Sequence, residues 1–172
     1  IWTEMVNTVS VSAIATILVL ACGLIIAHVA RTYPGRPTAL AARVSTLGYA
    51  VPGTVLAIGL LAPVGMFDRV WADSVEGLTG HAPGLLLLGS GAALVLAYAA
   101  RFMAISIGGI EAGFSRISPS LDHAARMLGQ TSTGVFRNVH LPLSKAALAS
   151  AGLLVFVDCM KELPATLLLR PF

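Results

Sequence analysis

The sequence predicts an all-α protein, a polytopic bundle of four membrane-spanning helices with a short helical connection on its inner side. Three observations predict it. Of 172 residues, 56% are hydrophobic and only 11% charged, against roughly 25% charged in soluble domains, and the mean hydropathy is +0.86. Four stretches reach the roughly 20 apolar residues that a bilayer-crossing helix needs. The connections between them alternate in charge. Eleven Lys and Arg against eight Asp and Glu leave +3, too mild a field to point to a nucleic-acid partner.

The first span covers 6–30, because no Asp, Glu, Lys or Arg lies between Glu4 and Arg31. A signal peptide has an apolar core of only about 7–15 residues, so this segment is not one. The second covers 42–66, with Arg43 at its start and Pro52-Gly53 near its middle. Proline frees a carbonyl and bends a helix, which lipid tolerates where neighbouring helices cover the exposed groups. Pro52 and Gly53 are thus a candidate helix bend, either a gating hinge or a static kink. The third span covers 84–107, interrupted near its end by Arg101, and the fourth covers 146–169 and carries Asp158, Lys161 and Glu162.

Charge in the connections sets direction. Arg31, Arg36 and Arg43 occupy the first link without an acid; the second sets Arg69 against Asp68, Asp73 and Glu76; the third holds Arg101, Arg116, Arg126, Arg137 and Lys145. By the positive-inside rule the first and third links are cytoplasmic, the second is external, and both ends face outward. The chain starts at Ile1 and stops at Phe172, directly after the fourth span, so 1–172 reads as one incomplete membrane domain. Cys22 and Cys159 lie in apolar stretches without metal-ligand or CxxC spacing, which suits two buried free thiols. His28, His81 and His140 have no partner at ligand spacing and read as structural or solvated, so no stable metal site is expected.

The connection over 116–142 is the most informative stretch. Ser118-Pro119-Ser120 starts a helix, with Ser as cap and Pro in the first turn. Leu121, Ala124, Ala125 and Leu128 form one apolar stripe, with Asp122, His123 and Arg126 outside it. Gly129 sits where a left-handed helix end favours a residue without Cβ. A second short helix begins at Thr131 or Ser132, with Val135, Phe136 and Val139 inward, and Leu141-Pro142 ends it. On physics alone this is equally an interfacial helix-turn-helix on the inner membrane surface or a docking element for a partner protein.

The spacing Ala124-Ala125-x3-Gly129-x9-Val139-x-Leu141-Pro142 resembles the EAA loop of ABC importer permeases, E-A-A-x3-G-x9-I-x-L-P. His123 stands where that pattern has Glu, and Val139 where it has Ile. Asp122 carries a carboxylate one residue earlier, about 100° around the helix. Further stretches resemble the ferric-iron branch of these permeases: Tyr49-Ala50-Val51-Pro52-Gly53-Thr54-Val55-Leu56-Ala57, Ala97-Tyr98-Ala99-Ala100-Arg101-Phe102, and Lys161-Glu162-Leu163-Pro164-Ala165-Thr166 with Leu167-Leu168-Leu169-Arg170-Pro171-Phe172.

The resemblance implies a binding-protein-dependent ABC permease fold in a bacterial inner membrane, with 116–142 as the cytoplasmic coupling segment. It implies two ABC ATPase subunits that hold ATP and Mg, so that this chain binds no cofactor and is no enzyme. It also implies a periplasmic substrate-binding protein, a second permease half in the same or another chain, and transport by alternating access. Asp122, His123, Ala124, Ala125, Arg126, Gly129, Val139, Leu141 and Pro142 are the expected coupling residues. Gly129→Asp is expected to keep the bundle folded while abolishing ATPase stimulation. The resemblance favours ferric iron; permeases for thiamine, polyamines, phosphonates or sulfate share the loop.

Asp158, Lys161 and Glu162 fall at i, i+3 and i+4, on one helical face. Ionisable groups inside a bilayer are costly and point to function, so these three and Pro164 are the candidate translocation path. Two other readings stay open: Asp158 pairs with Lys161 as bundle structure, or a tilted helix carries the charges to the outer headgroups. The chain contains no GxxxxGK[ST] phosphate loop and no GxSxG or Ser/His/Asp arrangement. A membrane scaffold without transport gives no reason for the loop spacing.

Overall fold

The computed structural model describes residues 2–169 except 82 and 89; Arg170, Pro171 and Phe172, quoted above, lie outside the described residues. The chain forms α1 (Trp2–Thr32), α2 (Arg36–Thr46) with a 3-10 turn at Leu47–Ala50, α3 (Gly53–Thr79), α4 (Ala92–Ser115), α5 (Pro119–Met127), α6 (Ser132–Val135), α7 (Leu141–Lys161) and α8 (Leu163–Leu169). Among the described residues four continuous helical runs are long and apolar enough to cross a membrane: Trp2–Thr32, Gly53–Thr79, Ala92–Ser115 and Ser132–Lys161. The described residues contain no strand.

The second, third and fourth spans differ most from the expected boundaries, each for a local backbone reason. The expected helix over 42–66 is broken rather than bent. Val51 is extended (φ −86°, ψ 130°) and α3 restarts at Gly53 after Pro52, because a residue before proline is pushed out of the helical region. The third span starts at Ala92 instead of 84. The fully buried Asp68 carboxylate of α3 accepts the backbone N–H groups of Leu87 and Leu88, both at 2.9 Å, and Gly91 takes a left-handed φ of 77°. The Leu85–Leu88 stretch is therefore an apolar loop, and Arg101 lies inside α4 rather than in a cytoplasmic link.

The fourth span begins earlier and ends sooner than 146–169. Pro142 does not terminate the second short helix: α6 runs through one π turn, Phe136–His140, into α7. In that turn Leu141 N–H reaches Phe136 C=O, five residues back. The wider turn removes the clash that a proline ring makes with the carbonyl four residues before it. Pro164 then ends the run: Glu162 leaves the helical region (ψ 88°) and α8 starts afresh.

Helices α1, α4 and α7 pack on one another at the centre. Lipid chains are as apolar as leucine, so tight packing of small residues is what holds such helices together. Gly109 and Gly113 of α4 face Ala151 and Ala147 of α7, where an added Cβ would come within 2.8 and 2.6 Å of theirs. Ser106 Oγ donates to the Val19 carbonyl at 3.1 Å, against Gly23 of α1. Within the small-residue stretch of α7, Ala151 and Gly152 are buried and Ala147 half-buried, whereas Ala146, Ala149 and Ser150 are exposed. Helix α2 lies against α4 and α1, and α3 against α8 and α4.

Candidate functional site

One end of the bundle gathers the basic residues and the α5–α6 elbow. Ser118 Oγ accepts from Ser120 N–H and Pro119 opens α5. At its far end Gly129 has φ 81°, Gly129 N–H donates to Arg126 C=O at 2.9 Å, and Gln130 N–H to Ala125 C=O at 3.0 Å. This is the left-handed helix stop expected there. No atom lies within 4 Å of where a Cβ of Gly129 would sit, so the demand at this position falls on backbone conformation and not on bulk. Thr131 Oγ1 then caps α6 by accepting from Gly134 N–H. As expected, Val135 is buried and Phe136 and Val139 are half-buried.

The apolar stripe of α5, whose direction the sequence leaves open, points away from the bundle. Only Ala125 of the stripe is buried, at 8% exposure, while Leu121 and Ala124 are exposed and Leu128 is 83% exposed, with Met127 beside it at 89%. His123 and Arg126 are exposed, as are Leu141 and Pro142. The inward face is set by a charge instead. Asp122 Oδ2 accepts from Arg31 Nε at 3.1 Å, and its Oδ1 lies 2.9 Å from His140 Nε2. Asp122 is thus committed to the bundle and does not replace the carboxylate that His123 lacks.

Arg31 has two further bonds, to the Phe114 carbonyl at 2.6 Å and the Ile117 carbonyl at 3.0 Å. It therefore joins the end of α1 to the end of α4 and to α5. His140, 2% exposed, packs beside the rings of Phe114 and His28. Burial alone would raise the Asp122 pKa, but the bonds from His140 and Arg31 outweigh it and hold the carboxyl below its usual range. Charge-assisted bonds of this kind are about twice as strong as neutral ones. Arg31 and His140 thus link α5 to the end of α1 and to the turn that leads into α7.

The intramembrane charges are arranged differently from one helical face. Because α7 stops at Lys161, Glu162 turns away from it. Its Oε2 lies 3.2 Å from Arg101 Nε of α4, and Arg101 Nη1 donates to the Val51 carbonyl at 2.7 Å. Asp158 is half-buried, and Lys161 and Pro164 are exposed; among the described residues Asp158 and Lys161 form no ion pair. Pro52 and Gly53 stand at the start of α3 against this pair, where a Cβ on Gly53 would overlap Glu162 Oε1. The described residues hold no group of three or more His, Cys, Asp or Glu arranged to bind a metal.

Sequence reasoning missed the partners Arg31, His140, Arg101 and Asp68. One signal was present for Arg101: a single charge isolated in an apolar stretch is cheapest in a bilayer when paired with an opposite one.

A model of the family described as binding-protein-dependent transport system inner membrane component matches residues 19–170. The chain is 27% identical over 163 residues to the Fe(3+)-transport system permease protein FbpB 2 of Haemophilus influenzae, covering 95% of the chain and 29% of that protein. It is 26% identical over 170 residues to the ferric transport system permease protein FbpB of Actinobacillus pleuropneumoniae, covering 98% of the chain and 22% of that protein. The chain thus spans less than a third of the length of these relatives.

Proposed function

Because the chain belongs to the family of binding-protein-dependent transport system inner membrane components, we propose that it is the membrane-crossing part of an ATP-driven importer for ferric iron. Relatives named as ferric transport permeases support the choice of iron over thiamine, polyamines, phosphonates or sulfate. The basic end faces the cytoplasm and both chain ends face outward, in keeping with the positive-inside rule. A periplasmic binding protein delivers substrate at the outer end, and a second permease half completes the path. Two ATPase subunits, which hold ATP and Mg, meet the elbow; this chain moves and does not catalyse.

The observation that carries this reading is the division of labour on α5. Asp122 and Ala125 fasten one face to the bundle, while Leu121, Ala124, Met127 and Leu128 leave the opposite face uncovered. An uncovered apolar face on a rigidly fastened helix suits a protein partner. Closure of the ATPases on ATP would push this helix, and the bundle would rock between outward- and inward-open states. His123, Arg126 and Gly129 border that contact.

The test is copurification of the full-length protein with its ATPase, followed by hydrolysis assays with candidate loaded binding proteins. Stimulation by an iron-loaded binding protein is the expected result. Stimulation by one loaded with thiamine, polyamine, phosphonate or sulfate would replace the substrate, and failure of any ATPase to copurify would remove the importer reading in favour of a scaffold.

A further inference from the structure

Two breaks in the membrane helices lie against each other. The chain unwinds over 47–52 between α2 and α3, and again at Glu162 between α7 and α8. Arg101 of α4 reaches both, through the Val51 carbonyl at 2.7 Å and Glu162 Oε2 at 3.2 Å. Three residues before Arg101, Tyr98 OH is 2.7 Å from Oγ1 of Thr166, four residues after Glu162. Two polar cross-links, one helical turn apart, therefore tie α4 to the break at Glu162 and to Thr166 of α8. Tyr98 and Thr166 also line a cavity of about 470 Å³, together with Glu4, Asn7 and Thr8, at the end of the bundle opposite the elbow.

The deeper cross-link is incompletely bonded. Glu162 Oε1 is buried without a hydrogen-bond partner among the described residues, and the buried Arg101 Nε, though ion-paired with Glu162 Oε2 at 3.2 Å, makes no aligned hydrogen bond among them. A half-satisfied polar pair in a low-dielectric interior is worse than an apolar contact, so packing alone does not account for it. As a pair the two charges cancel, which keeps the closed arrangement tolerable within lipid. Separated, each would need water or a charged ligand.

We propose that the Arg101–Glu162 pair, with the Tyr98–Thr166 bond above it, is the gate that closes the outer cavity from the basic end, and that it opens when α3 and α8 part from α4. This rests on the transport reading, with the cavity as the place where substrate waits. Arg101 and Glu162 act as gate residues whose separation is coupled to the two helix breaks. Pro52 and Pro164 hold those breaks open in advance, since neither segment can close into a continuous helix.

The test uses the full-length protein in lipid vesicles and the double variant Arg101→Gln/Glu162→Gln, which removes both charges together and leaves neither unpaired. Cys159, 1% exposed and in the same core cluster as Tyr98, Phe102 and Ala165, is the reporter. Its modification by a thiol reagent is followed on the peptide that contains it. The expected result is modification about tenfold faster than in the unchanged protein, the change that about 1.4 kcal/mol of lost closure produces. Tyr98→Phe removes only the upper hydroxyl, keeps the ring, and is expected to give a smaller acceleration. Cys159 rates unchanged in both variants would overturn the gate. Failure of the unchanged protein to stimulate hydrolysis with any loaded binding protein would overturn the transport reading instead, because the Cys159 rate reports the gate without a partner.

Discussion

Replacing Asp122 with alanine is expected to release α5 from the bundle and to lower ATPase stimulation about tenfold or more, while the membrane helices stay folded. Among the described residues the carboxylate is the one side chain of α5 that hydrogen-bonds both Arg31 of α1 and His140, in the turn leading into α7. Losing it removes two charge-assisted bonds and strands a partly buried guanidinium, a cost of about 3 kcal/mol. Arg31 keeps its bonds to the Phe114 and Ile117 carbonyls, which is why the damage stays local to α5. Asp122→Asn, which keeps shape and one acceptor, is expected to lose less. Proteolysis of the 116–142 segment, compared with bundle melting in detergent, separates the two effects.

The pH dependence of that anchor follows from the depressed Asp122 pKa. A carboxylate whose folded pKa lies below its unfolded value of about 3.9 stabilises fully above the unfolded value. That contribution is lost as pH falls through the folded one. The Asp122 contribution to protease protection of α5 should therefore be fully present and independent of pH between about pH 5 and 8. In the unchanged protein it should fall only in strong acid, and Asp122→Ala should abolish that acid step.

Gly48→Val is expected to be the most damaging single change in the bundle itself. A Cβ at Gly48 would overlap the carbonyl oxygen of Ala100, with the Ala100 carbonyl carbon at 2.8 Å. These are backbone atoms in the middle of α4 and have no rotamer to yield. The 3-10 turn must lift away, taking Val51 from Arg101. Overpacking of this kind costs about 1–3 kcal/mol and more where backbone is struck. Gly59 of α3 is the matched control, with no atom within 4 Å of an added Cβ. Gly59→Ala is expected to leave stability unchanged or to raise it by about 0.5–1 kcal/mol. Thermal unfolding in detergent compares the two.

The parts of this architecture that were legible in the sequence are those governed by local rules. The first span is marked by the absence of charge between Glu4 and Arg31, and the elbow by Ser118, Pro119 and Gly129, which act on their immediate neighbours. Hydropathy misplaced the start of α4 because it measures transfer into lipid and not hydrogen bonding. The N–H groups of Leu87 and Leu88 go to Asp68, nearly 20 positions earlier, and no local pattern announces that.

The periodicity of α5 identified an apolar face but not which way it points. Asp122 decides that, through Arg31 and His140 at distant positions. Glu162 was grouped with Asp158 and Lys161 on one helical face, and Pro164 dissolves that face by ending the helix between them. The resemblance to the EAA loop located the candidate coupling residues without supplying their orientation. That follows only from the ion-pair partners.

The central claim is that the uncovered face of α5 lies on the cytoplasmic side and meets a separate ATP-hydrolysing subunit. Its most direct test is Ala124→Cys, with Cys22 and Cys159 replaced by Ser, in vesicles of known orientation. A membrane-impermeant thiol reagent is predicted to modify position 124 only from the cytoplasmic side, and bound ATPase to protect it. Modification from the outer side, or cytoplasmic modification that the ATPase leaves unchanged, would contradict the account.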